Sequence, residues 1–73
     1  MMHVLFIDNG GGGYAQNIET VEGMTVEQMV QRRIGDEGPR EHMIRLNGKT
    51  VAADHVLQDG DRLTVTPLKI SGA

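Results

Sequence analysis

The sequence predicts an α+β domain, a mixed sheet of four to five strands with one helix packed on one face. Three observations predict it. A single capped amphipathic segment stands near the middle of the chain, short extended runs bounded by turn residues lie on both sides of it, and 73 residues leave room for one core only. A chain of this size hides roughly 60% of its unfolded surface on folding. That leaves a thin core and little space for a desolvated active site, so the composition speaks against a self-sufficient enzyme.

Element by element, Met1 to Ile7 is an apolar run with β-branched and aromatic members, ending at Asp8-Asn9 and four glycines. It reads as a strand entering a turn. A second extended segment, about Tyr14 to Val21, completes a hairpin around Gly10 to Gly13. Thr25 then precedes Val26, Met29, Val30 and Ile34, spaced i, i+3, i+4, i+8 on one helical face. Thr25 and Gln28 form a capping box, and Met24 with Met29 occupies the positions of a hydrophobic staple. Arg32 and Arg33 suit the negative end of the helix dipole, and Gly35 suits its stop. The helix is expected over Val26 to Ile34.

Gly35 to Pro39 reads as a breaker stretch. Beyond it Ile44 and Leu46 alternate with Met43 and Arg45, and Asn47-Gly48 supplies the preferred residues of a two-residue hairpin turn. Lys49-Thr50-Val51 begins the return strand, Gln58 to Asp61 makes another turn, and Leu63 and Val65 alternate with polar residues in the last strand. Pro67 cannot donate to a ladder, so the last strand should lose a partner there or run along an edge. The order is ββαβββ. The helix supplies the crossover that lets the first and last strands pair in parallel at the centre, which is the β-grasp, or ubiquitin-like, arrangement. Its expected core is Leu5, Ile7, Val26, Met29, Val30, Ile34, Ile44, Leu46, Leu57, Leu63 and Val65.

Composition excludes several functions. There is no cysteine, hence no disulfide, thiolate metal site or cysteine nucleophile. A net charge of −3 with Tyr14 and Phe6 as the only aromatics offers nucleic acid neither a basic footprint nor a stacking platform. Val4 to Ile7 is too short an apolar run for a membrane span or a signal-peptide core. The expectation is a soluble, cytoplasmic protein without cofactor, a monomer on its own.

The remaining constellations have plain structural readings. Gly48-Lys49-Thr50 matches the end of a phosphate loop, but Met43 stands where its first glycine is required and strands flank it. His3, His42 and His55 fall on different elements and make no metal spacing. Asp59 and Asp61 flank Gly60 as turn residues and lack the further oxygen ligands of a calcium loop. Glu19, Glu22, Glu27, Asp36 and Glu37 read as a solvated acidic side. Met43 points outward if Ile44 points inward, and Val51 and Leu68 are candidates to join it in a contact patch on the exposed sheet face.

The stretch Arg45-Leu46-Asn47-Gly48-Lys49-Thr50-Val51, followed by Val56-Leu57-Gln58-Asp59-Gly60-Asp61-Arg62-Leu63 and by Pro67 and Ser71-Gly72-Ala73, resembles the MoaD/ThiS sulfur-carrier family. The similarity covers about the C-terminal two-fifths of the chain. It implies a β-grasp domain over residues 1–68 and a flexible tail over 69–73. It further implies a carrier whose C-terminal carboxylate is adenylated by an E1-like enzyme and converted to a thiocarboxylate that serves a sulfur-acceptor enzyme. The catalysis is then the partner's. The tail residues are Ser71, Gly72 and Ala73, and the implied partner-contact surface is Met43, Val51, Leu68 and Ile70. Ala73 departs from the family's Gly-Gly end: its methyl group sits at the reacting residue and disfavours positive φ. That departure keeps a second reading open, a non-covalent β-grasp interaction module without the terminal chemistry. A sequence designed or averaged for stability alone is a third, suited by the consistent cap, staple and turn chemistry.

Overall fold

The computed structural model describes residues 1–10 and 12–68. Strands β1 (Met2–Asp8) and β2 (Tyr14–Thr20) form the first hairpin, helix α1 (Val26–Ile34) follows, and a short helix α2 (Gly38–Glu41) leads into β3 (His42–Leu46). Strands β4 (Lys49–Thr50) and β5 (Arg62–Pro67) complete a five-stranded sheet of order β2-β1-β5-β3-β4. β1 and β5 are parallel at the centre, and all other pairs are antiparallel. The expected helix bounds and the central parallel pair are both present. The breaker stretch differs from its reading: Pro39 stands in the first turn of α2, where its missing N–H and fixed φ are tolerated.

Helix α1 begins as its capping box dictates. Thr25 Oγ1 accepts the Gln28 N–H at 3.2 Å, and Gln28 Oε1 accepts the Thr25 N–H at 3.0 Å. The helix start is also tied to the loop before β5, for the Val26 and Glu27 amides donate to the His55 and Ala53 carbonyls, both at 2.9 Å. Met24, Val26, Met29 and Val30 are buried against the sheet.

The face that β1 turns to the core is a correction. Met2, Val4 and Phe6 are buried, whereas Leu5 is 38% exposed and Ile7 half-buried. Both alternating sets of this strand are apolar, so period-two patterning does not choose between them. The choice follows from packing. Phe6 aligns with Leu63 and fills the space under α1, while the other set carries His3, which stays at the water side. The core is completed by Leu46, Leu57, Leu63 and Val65, with Ile34 and Ile44 half-buried at its margin.

Pro67 occupies a central strand, not an edge, yet it has lost a partner as expected. The β1–β5 ladder ends at Asp8–Val65, while β3 continues alongside to His42–Pro67. The Asn9 amide donates to the Val65 carbonyl at 2.9 Å, so the backbone of the odd residues of β5 faces β1. The nitrogen of Pro67 therefore faces the side where pairing has already stopped.

Candidate functional site

The β1 register puts a second apolar set on the face of the sheet away from α1. Leu5 and Ile7 of β1 lie there beside Arg62 and Thr64 of β5, and Thr66 and Thr64 pair in turn with Met43 and Arg45 of β3. Met43 is 41% exposed, and Leu68, one residue past β5, is 58% exposed. The outer face thus holds a broken apolar strip, Leu5 and Ile7 on β1 and Met43 on β3, interrupted by Arg62, Thr64 and Thr66 of β5, with Arg45 and Arg62 both exposed. Among the described residues the ion pairs are His3–Glu19 at 3.7 Å and Glu37–Arg40, so no carboxylate neutralises Arg45 or Arg62. In a chain of net charge −3 this is a locally basic surface.

Of the expected contact residues, Met43 and Leu68 are thus exposed at this face and at the end of β5. Val51 is half-buried and packs against the core instead, beyond the edge of β3. Ile70 and the tail residues Ser71, Gly72 and Ala73 lie outside the described residues. Leu5 and Ile7 were missed by the sequence reading because it placed them in the core. The signal that would have found them is His3, which shares their parity and is costly to bury without a partner.

The other singled-out residues have structural roles here. Asp59 Oδ1 accepts the His3 amide at 2.8 Å, and the Gly60 amide donates to the His3 carbonyl at 2.8 Å. Asp61 accepts from Asn47 Nδ2 at 2.9 Å and from the Gln58 amide at 2.7 Å, so both aspartates pin the turn before β5. His42 Nδ1 donates to the Gly38 carbonyl at 2.9 Å, which makes Nδ1 the protonated nitrogen when the ring is neutral. No group of three metal-ligating side chains occurs among the described residues. The loop Gly10 to Gly13 is closed by a bond from the Gly13 amide to the Gly10 carbonyl at 2.9 Å, as a hairpin loop. Among the described residues no helix is long and apolar enough to cross a membrane.

No family model and no curated protein matches the chain by sequence. Solved structures do match by fold. A ubiquitin from Caldiarchaeum subterraneum superposes with a TM-score of 0.74 at 17% identity, covering 97% of this chain and 98% of its own. A ubiquitin-like protein of the same archaeon gives 0.71 at 16% identity, with 96% and 100% covered. A Pyrococcus furiosus protein described as subunit 1 of a molybdopterin converting factor gives 0.70 at 24% identity, with 92% and 98% covered. These likenesses run over nearly the whole of each chain, and with the strand order above they establish the architecture: the chain is a ubiquitin-like β-grasp domain.

Proposed function

We propose that the chain is a ubiquitin-like carrier or modifier, handled by an E1-like adenylating enzyme that docks on the outer sheet face and works on the tail Lys69 to Ala73. The observation that carries this reading is the outer sheet face, with Leu5 and Met43 exposed, Ile7 half-buried and Arg45 and Arg62 without an ion-pair partner among the described residues, at the sheet whose last strand leads into the tail. Apolar side chains offered together with unneutralised arginines suit a protein partner with an apolar patch rimmed by carboxylates. In the proposed step a carboxylate oxygen of Ala73 attacks the α-phosphate of ATP, pyrophosphate leaves, and sulfide then displaces AMP from the acyl adenylate to give the thiocarboxylate. The protein is the substrate, and the enzyme supplies the catalytic groups.

Mass spectrometry of the intact chain after incubation with ATP and an E1-like enzyme tests this. A C-terminal adenylate, or the mass gain of sulfur replacing oxygen, is the expected result. An unmodified C-terminus, under conditions that do modify an Ala73→Gly variant, would overturn it. The second reading, a non-covalent interaction module, is favoured by Ala73 itself. It predicts that deleting Ser71 to Ala73 leaves partner binding intact.

A further inference from the structure

A second surface lies on the opposite side of β3 from β5. The β3–β4 ladder contains only Arg45–Thr50 and Leu46–Lys49, and it stops one pair short of Ile44 and Val51. The Asn47 amide donates to the Arg62 carbonyl at 2.8 Å, and the Leu68 amide to the Glu41 carbonyl at 3.0 Å. These bonds turn the backbone of the odd residues of this segment toward β5. By antiparallel alternation the N–H and C=O of Ile44 therefore face away from β5, into the gap where β4 no longer runs. Among the described residues neither group has a backbone partner outside the sheet ladders.

The gap is a shaped depression of about 250 Å³. Val26, Pro39, Met43, Ile44, Val51 and Ala53 supply apolar wall, and Glu27 stands at its rim as the one carboxylate lining it. Its far wall is fixed, since the Glu27 amide is bonded to the Ala53 carbonyl at 2.9 Å. Glu27 has no cation within ion-pairing distance among the described residues. An unpaired strand edge of this kind is satisfied by another extended backbone, and the depression beside it takes a side chain of that segment.

We propose that the edge of β3 at His42–Ile44 binds an extended segment of a partner protein, which pairs with the Ile44 backbone, places a small aliphatic side chain against Val51 and Ala53, and sets a lysine or arginine against Glu27. This surface meets the outer sheet face at Met43, which lines both, and it is independent of whether the tail is activated. The longer free edge of β2 is the competing site, but its side chains are mostly polar and exposed.

The test is titration of the ¹⁵N-labelled full chain with the blocked peptide acetyl-Lys-Val-Lys-Val-Lys-Val-amide. The Ile44 amide, exchanging quickly with solvent in the free protein, is expected to shift and to become protected, together with shifts at Val51 and Ala53. A Glu27→Lys variant should weaken binding about two- to fivefold, the range of a single exposed ion pair. Glu27→Gln should fall between it and the parent. Shifts confined to Gln16–Ile18 would assign the binding to the β2 edge and overturn the proposal, as would no saturable shift. An Ile44 amide already protected in the free chain would overturn it without any peptide.

Discussion

At the scale of single residues, Asn47 carries more than its place in a turn suggests. Its φ of 54° and the 85° of Gly48 are the paired positive values of the hairpin turn that Asn-Gly favours. Its side chain then leaves the hairpin. Nδ2 donates to Asp61, Oδ1 accepts the Arg62 amide at 2.9 Å, and its own amide donates to the Arg62 carbonyl. One residue thus ties the β3–β4 turn to the turn that launches β5. Asn47→Gly keeps the backbone geometry and loses only the side-chain bonds, at a cost of about 1–2 kcal/mol. Asn47→Ala adds left-handed strain of roughly 1 kcal/mol more. Urea unfolding of both variants should place Ala below Gly; the reverse order would show that turn geometry matters less than drawn here. Gly38 shows a different constraint. A Cβ there would lie 3.1 Å from a Val30 methyl and 3.2 Å from Ile34 Cγ1, so Gly38→Ala should cost about 1–3 kcal/mol through overpacking between α1 and α2.

At the scale of elements, legibility followed the number of independent signals each element carried. Helix α1 was readable to the residue because cap, staple, apolar spacing and terminal charges all agree. The turns were readable because Asn-Gly and Asp-Gly name their own geometry. The facing of β1 was not, because Met2, Val4 and Phe6 and the set of Leu5 and Ile7 are equally apolar by pattern, and the deciding contact, Phe6 beside Leu63, joins residues from opposite ends of the chain. Helix α2 was missed because Gly and Pro punctuate loops far more often than they open a turn of helix. The same uncertainty hid the outer strip, since a residue assigned to the core is not sought on the surface. The facing can be checked directly. Val4→Ala should cost about 2 kcal/mol or more by lost burial and the cavity left behind, whereas Leu5→Ala should cost less than half of that. Equal losses would contradict the register. Thr25→Ala should remove about 1 kcal/mol by opening the cap.

At the scale of the whole molecule, one thin sheet separates two kinds of surface. The outer face offers apolar side chains and arginines, while the β3 edge and the start of α1 offer open backbone, a small apolar depression and a carboxylate. A domain this small buries a modest share of its surface, and on the proposed reading it presents its two sides to different partners. Leu5 and Glu27 stand on opposite sides of the sheet, one on its outer face and one on the helix that covers the other face. Mutations at positions without shared contacts usually act additively. Leu5→Asp places a carboxylate in the outer strip and is expected to lower the rate of tail adenylation by an E1-like enzyme at least about tenfold, by like-charge repulsion of an acidic partner surface. It should leave peptide binding at the β3 edge unchanged. Glu27→Lys should do the opposite, and the double variant should show both losses, neither larger than alone. Circular dichroism and thermal melting would confirm that both exposed substitutions keep the fold. If Leu5→Asp also abolished peptide binding while the protein stayed folded, the two faces would be coupled through the sheet, and the division of the molecule into two independent surfaces would be wrong.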